Sequence, residues 1–339
     1  MLRMLAERLA AQLLSGPPAA DPVAVAERIL AIQAQDLRGA QLAIRARTRG
    51  LTVTDVNRAL TEDRSLVITT LNRGTLHLVR REDYPWLQAL TTPSLFTSSD
   101  TRLAQEGVSP AQLRTGMRTI ERALGDGPLT RAQLRDRLDA AGVPTARQAL
   151  AHLLLRSAIE GLTVRGPMVG GEQGFVLVRD WIGEPEPVDR DTALAELARR
   201  YLAGHGPASD RDLARWAGIG LRDARAGLSA ISRELATRDD GLVDLAKRAP
   251  AAKLPPPRLL GVFEPLLMGW TSREPVLGDH GSLVTSNGIF KAFVFVRGRT
   301  VGTWRRPKTG VVLELFDEVS ARTRAALDRD AADVERFLG

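Results

Sequence analysis

Apolar residues recur every three to four positions through most of the chain up to Pro255, whereas beyond it the apolar runs alternate at two-residue spacing. A helical body followed by a small β unit is the consequence. The periodicity predicts helices over residues 2 to 14 and 22 to 32 and at about Thr54 to Thr61. Leu66 to Leu71 and Thr75 to Val79 are expected to pair as a hairpin around Asn72-Arg73-Gly74.

A short repeat organises the middle of the chain. Gly125-Asp126-Gly127-Pro128-Leu129-Thr130-Arg131-Ala132-Gln133-Leu134 returns as Gly204-His205-Gly206-Pro207-Ala208-Ser209-Asp210-Arg211-Asp212-Leu213. In each copy Gly-x-Gly-Pro ends one helix, Thr130 or Ser209 stands where an N-cap belongs, and Leu134 or Leu213 opens the next apolar face. Amphipathic helices precede the copies (Gln112 to Leu124; Thr192 to Leu202), and further helices follow them (Thr145 to Ile159; Leu221 to Leu235). Short β-like runs come next: Leu162 to Arg165 and Phe175 to Val178 in the first copy, Leu242 to Leu245 in the second. That order is the order of a winged helix-turn-helix, and the first hundred residues fit it more loosely.

After Pro255-Pro256-Pro257, strands are expected over Leu259 to Phe263, Gly281 to Val284, Ile289 to Val296, Thr300 to Trp304 and Val311 to Leu315. Turns fall at Asn287-Gly288 and Arg297-Gly298, and a helix from about Ser320 to Phe337 closes the chain. The expected fold is therefore α+β: three tandem winged helix-turn-helix units with a C-terminal small β-barrel or antiparallel sheet. The expected boundaries are 1–100, 101–188, 189–254 and 255–339.

The chain has 339 residues, 44% of them hydrophobic, which is enough for two to four small domains. No uncharged run is long enough to span a membrane, so a soluble, cytoplasmic protein without a membrane partner is expected. Cysteine is absent and the four histidines (His77, His152, His205, His280) are scattered, so neither a disulfide framework nor a metal site is expected.

Net charge is +7 and unevenly placed. Residues 36 to 81 hold nine arginines, Arg38, Arg45, Arg47 and Arg73 among them, against four acids. Residues 291 to 308 add Lys291, Arg297, Arg299, Arg305, Arg306 and Lys308 with no acid. Two basic segments on a mildly acidic body are the footprint of a polyanion groove; solubility charge in an arginine-rich proteome is the plainer alternative.

The candidate chemistry is Gln33-Ala34-Gln35, two amides flanking a small residue where an apolar helix gives out. On a helix these side chains would diverge, and in an extended segment they share a face. Service to one site therefore requires the helix to end near Gln33. Polar residues satisfied by backbone at a helix end are the competing reading, and Asp36 beside them is either a partner in the site or a cap.

With these segments in place, the chain resembles the bacterial family of winged-helix DNA glycosylases typified by AlkZ, whose founding member protects its host against a DNA-cross-linking antibiotic. The likeness spans nearly the whole length. It rests on Gln33-Ala34-Gln35, on Arg73-Gly74-Thr75-Leu76-His77-Leu78-Val79, and on Tyr201 through Trp216. Further along it rests on Leu267-Met268-Gly269-Trp270 and on Asn287-Gly288-Ile289-Phe290 leading to Val301-Gly302-Thr303-Trp304-Arg305-Arg306. The resemblance implies that Gln33 and Gln35 are catalytic and that the hairpin with Thr75 and His77 probes duplex DNA. Arg38, Arg45, Arg47, Arg73, Arg299, Arg305 and Arg306 are the expected DNA-binding cations. Phe263-Glu264-Pro265 departs from the family, where an aspartate is expected, and Gln35 places the chain in the double-amide branch.

Glycoside hydrolysis normally calls for a carboxylate, and glutamine transfers no proton. Its amide oxygen can still orient water and aim a lone pair at positive charge developing on the sugar. That suffices only for a good leaving group. The double amide thus points to cationic purines alkylated at N7 or N3, including bulky or interstrand cross-linked ones, as a repair or antibiotic-resistance activity.

The four lysines (Lys247, Lys253, Lys291, Lys308) are far from the motif in sequence, so a monofunctional enzyme without cofactor, acting as a monomer, is expected. Trp86 and Trp270 are expected as core anchors, and His77 either packs or contacts DNA. Aromatics are 4% of the chain, which suggests a bulky lesion read in the groove without a deep pocket.

The main rival is a non-enzymatic winged-helix DNA-binding protein or transcriptional regulator. It should concentrate arginine on recognition helices, yet Thr145 to Ile159 carries only Arg147 and Arg156. A protein-interaction module with a degenerate site is a third reading.

Overall fold

A computed structural model describes residues 2–184, 186–249, 254–285 and 288–339. The fold mixes helices with small antiparallel sheets, and the chain forms two compact units. The first comprises Met1–Asn57, Leu194–Trp216 and Gly220–Gly339, the second Arg58–Ala193 and Ala217–Ile219.

In the first unit the helix Pro22–Ile29 starts at Asp21, whose carboxylate accepts the Ala24 N–H at 2.8 Å, with Pro22 at the first position. It stops at Leu30, which turns into left-handed space at φ 69°, and the chain runs into a short extended segment, Ile32–Gln33. The helix thus ends earlier than its periodicity suggests. Ile29, Leu30 and Ile32 are all fully buried, so the apolar pattern continues after the hydrogen bonding has stopped.

The C-terminal sheet is antiparallel, in the order Val312–Leu315, Arg299–Arg305, Phe293–Val296, Arg258–Leu260. Along Arg299–Arg305, Thr300, Gly302 and Trp304 point inward and alternate with exposed or half-buried neighbours. Strands are shorter than expected at three places. Phe263 adopts φ 52° and ends the extended run after Leu260. Ladder pairing starts only at Phe293, and Gly281–Leu283 is a 3₁₀ turn with Val284 alone bridging Phe290. Asn287 of the expected Asn-Gly turn lies outside the described residues.

Two arginines bind the first unit together. Arg45, at the end of the helix Leu37–Arg45, reaches Asp330 at 2.7 Å and Asp333 at 2.8 Å on the terminal helix Ala321–Leu338. Arg47 meets Glu264 at 2.5 Å, the Gln12 side-chain oxygen at 2.9 Å and the Gln12 carbonyl at 2.8 Å. Both side chains of the Arg47–Glu264 pair are wholly buried. Arg45 and Arg47 are therefore corrected as DNA-binding residues: their charge is spent inside the protein.

The Gly-Pro motif around Pro207 carries an aromatic cluster. His205 stacks on Tyr201 with centroids 4.8 Å apart and lies against Trp216 and Trp270. Trp270 donates its indole N–H to the His205 carbonyl at 2.9 Å, which makes it a core anchor; Trp86 is only half-buried.

The second unit packs the helices Pro110–Leu124, Arg131–Ala140 and Ala149–Ile159 around Leu103, Ile120, Leu134, Leu153 and Phe175. The hairpin Thr163–Val169 and Glu172–Leu177 covers that core. Its first strand meets a second hairpin, Leu66–Leu71 with Thr75–Arg80, through the pair Ile68 and Arg165. Thr130 and Gln133 cap each other's backbone N–H groups, and Ser209 and Asp212 repeat the device in the first unit. The last of the three helices begins at Ala149 because Pro144 and Arg147, at φ 52°, hold the preceding residues in a turn.

Removing one partner of the Arg47–Glu264 pair leaves a charge buried alone. Glu264→Leu is expected to lower unfolding free energy by about 3–5 kcal/mol, and adding Arg47→Met should recover most of it. Denaturant titration of both single variants and the double checks this; equal losses that simply add would refute the coupling.

Candidate functional site

The amide motif sits between two helices of the first unit. Asp36 is the N-cap of Leu37–Arg45, its carboxylate accepting the Gly39 N–H at 2.6 Å, so the side chain is committed to the helix end. Gln33 is buried at 6% exposure, and its Oε1 accepts no hydrogen bond among the described residues. Gln35 is exposed. A buried amide oxygen without a donor costs about 1–3 kcal/mol, and such groups concentrate where a ligand supplies the partner.

Gly39 determines where this segment lies. A Cβ there would fall 2.5 Å from the Val262 carbonyl oxygen, so only glycine lets the capped helix approach the chain leaving the sheet. The close approach builds a groove of about 490 Å³, lined by Asp36, Arg38, Leu42, Val262, Ile289, Lys291, Trp304, Arg305 and Arg306 among others. Its floor is apolar, and its rim has four cations against Asp36 and Glu314. Neither Gln33 nor Gln35 lines this groove.

The groove gathers three expected DNA-binding residues. Arg38 is exposed with no ion pair among the described residues, Arg305 meets Glu314 at 3.1 Å on the surface, and Arg306 meets Glu335 at 2.6 Å. An exposed pair such as Arg305–Glu314 holds by about 0–1 kcal/mol and yields readily to a phosphate, whereas Arg306–Glu335 is half-buried. Arg299 is exposed on the same strand but does not line the groove. Lys291 does line it, so a lysine stands closer to the motif than sequence separation suggested. Lys291 and Ile289, named in the basic segment and in the motifs but not among the expected site residues, join the groove because their place depends on the sheet.

The hairpin of the second unit places the rest. Asn72, Arg73 and Gly74 follow one another at φ 32°, 22° and 78°, a strained run that leaves Arg73 exposed. Asn72 is fully buried, and among the described residues neither its amide atoms nor the buried Thr75 hydroxyl has a hydrogen-bond partner. Asn72 was not anticipated; an asparagine in a hairpin turn was the available signal.

His77 is 2% exposed, and its Nδ1–H donates to the Thr75 carbonyl at 2.9 Å, since a carbonyl only accepts. Burial, then repulsion from Arg73, push its pKa down to about 3 against the opposing pull of that hydrogen bond. It is neutral at physiological pH, so it is no cationic clamp on phosphate.

The family model described as DNA glycosylase AlkZ-like matches residues 26–337. The solved structure of Streptomyces sahachiroi DNA glycosylase AlkZ is similar, with a TM-score of 0.83 and 28% identity, over 99% of this chain and 96% of that one. No curated protein sequence matches significantly.

Two buried histidines give a pH dependence. His77 and His205 both fall from 6.5 to about 3, chiefly through burial. Below 6.5 the unfolded chain takes up protons that the folded chain refuses, so stability is complete above that pH and declines toward 3. Each histidine should cost about 1.4 kcal/mol per pH unit in that window. Melting temperature measured from pH 8 to 5 should be flat and then fall, and His77→Gln should flatten the fall; an identical profile in the variant would refute it.

Proposed function

Because the chain belongs to the AlkZ-like DNA glycosylase family, we propose that it is a monofunctional enzyme hydrolysing the N-glycosidic bond of cationic alkylated purines in duplex DNA. Purines substituted at N7 or N3 are the substrate class, bulky and interstrand cross-linked adducts included. The observation that carries this reading is the Gln33 amide oxygen, buried without a donor among the described residues, in a segment that leads into a basic groove.

In the proposed mechanism the Gln33 and Gln35 oxygens orient a water and face the positive charge that grows on the sugar as the bond breaks. Neither abstracts a proton; the water that adds to the sugar carbon releases its proton to solvent. The leaving group supplies the driving force, because an N7- or N3-alkylated purine departs as a neutral base. Asp36 holds the helix end against Gly39 and so fixes the motif without joining the chemistry. Arg38, Arg305 and Arg306 hold the backbone phosphates, with Arg73, Thr75 and Arg299 at further contacts. His77 supports the hairpin as a neutral group.

We further read the architecture as three winged-helix units at the boundaries expected from sequence, acting as a cytoplasmic monomer in repair or antibiotic self-resistance. The helix–helix–helix–hairpin order of the second unit supports the first point. The regulator reading is weakened by its own criterion. On the helix that should read bases, Arg156 is tied to Asp100 and Glu160, and Arg147, just before it, meets Glu106 at 3.1 Å.

Incubation with duplex carrying N7-methylguanine, followed by alkali, should give strand breaks, and omission of alkali should give none. Gln33→Ala and Gln35→Ala should each slow the single-turnover rate about 10²–10³-fold with duplex binding retained. Full activity in both variants would overturn the mechanism, and breaks without alkali that vanish in Lys291→Arg would overturn the monofunctional assignment.

A further inference from the structure

The second unit holds a pair of guanidinium groups outside both basic segments of the sequence. Arg165 lies half-buried on the strand Thr163–Val169, its guanidinium carbon 4.0 Å from the Phe175 ring centroid. Phe175 is directly opposite it in the ladder and exchanges both backbone hydrogen bonds with Leu129, at 3.2 and 2.8 Å. Leu129 stands two residues before Arg131, the first residue of the helix Arg131–Ala140. One row of backbone pairs therefore brings Arg165 and Arg131 to the same edge of the core.

Local sequence enforces that geometry. The ladder shifts register between Arg165 and Met168, and a Cβ on Gly166 would lie 2.6 Å from Val176 Cγ1. The bulge lets Val176 close over the backbone while Arg165 crosses Phe175. At the helix start, Thr130 and Gln133 cap each other's backbone N–H groups, at 2.8 and 3.2 Å.

Among the described residues neither Arg131 nor Arg165 makes an ion pair or a side-chain hydrogen bond, although the chain pairs many of its other arginines. Burial, then the Arg131 charge, lower the Arg165 pKa to about 10, with Glu172 opposing; it remains a cation at physiological pH. A half-desolvated cation beside another cation, held on a ring by a bulge, is costly unless an anion completes it.

We propose that Arg131 and Arg165 form a phosphate-binding site of the second unit that grips a backbone phosphodiester of duplex DNA. Ten guanidinium N–H donors suit the non-bridging oxygens, and Glu172 weakens the grip. The site adds affinity in every sequence context and takes no part in bond cleavage.

Its test reads binding and not chemistry, so it stands apart from the glycosylase reading. Anisotropy titrations of an unmodified duplex across a series of salt concentrations should give a shallower log–log slope, by about 1, in Arg165→Gln and in Arg131→Gln. Affinity near 0.1 M salt should fall roughly fivefold to tenfold, Arg165→Lys should restore part of it, and Glu172→Gln should tighten binding. Arg131→Gln, at an exposed position, keeps the test open if Arg165→Gln fails to fold. Unchanged slopes in Arg131→Gln and in a folded Arg165 variant would overturn the site, as would arginine-dependent binding of inorganic phosphate alone with the duplex slope intact.

Discussion

The first unit depends on the buried ion pair of Arg47 and Glu264. Its guanidinium reaches Glu264, the Gln12 side chain and carbonyl, and the Ala43 carbonyl, so one side chain joins segments far apart in the chain. With both charges out of water, desolvation is offset only while every partner is in place. That demand makes the geometry specific. Glu264 precedes the Pro265–Leu267 turn and follows Val262, so the pair also fixes the wall against which Gly39 packs.

From that wall the candidate site follows. The Asp36 cap starts its helix, Gly39 brings the helix onto Val262, and the groove opens between them with Arg38, Lys291, Arg305 and Arg306 on its rim. Gln33, three residues before the cap, has an amide oxygen that accepts no hydrogen bond among the described residues. Dipoles held this way need no reorganisation when charge develops, which is how a group unable to move a proton can still assist bond cleavage.

Arginine serves three distinct purposes in this protein, and only environment tells them apart. Arg45 and Arg47 are fasteners inside the first unit, with carboxylates at ion-pair distance. Arg305 and Arg306 hold exchangeable surface or half-buried pairs. Arg165 is packed on Phe175 and, among the described residues, has no acidic partner at ion-pair distance. Charge counting along the chain merges these classes, because burial and pairing are properties of neighbours that sequence separation hides.

Local chemistry was legible from the amino-acid order alone. The caps at Thr130 and Ser209, the hairpin around Asn72-Arg73-Gly74 and the closing helix all follow from interactions within a few residues. The motifs carrying the family likeness were legible too, since they are words in the sequence. Strand limits at Phe263 and Phe293 were not, because a left-handed residue and a missing ladder partner end what hydrophobic alternation would continue. Nor could sequence say that Arg47 is buried while Arg38 is exposed, or that Lys291 shares a groove with Asp36. Those facts rest on contacts across more than two hundred residues, such as Arg47 to Glu264, and only the folded chain brings such positions within reach of one another.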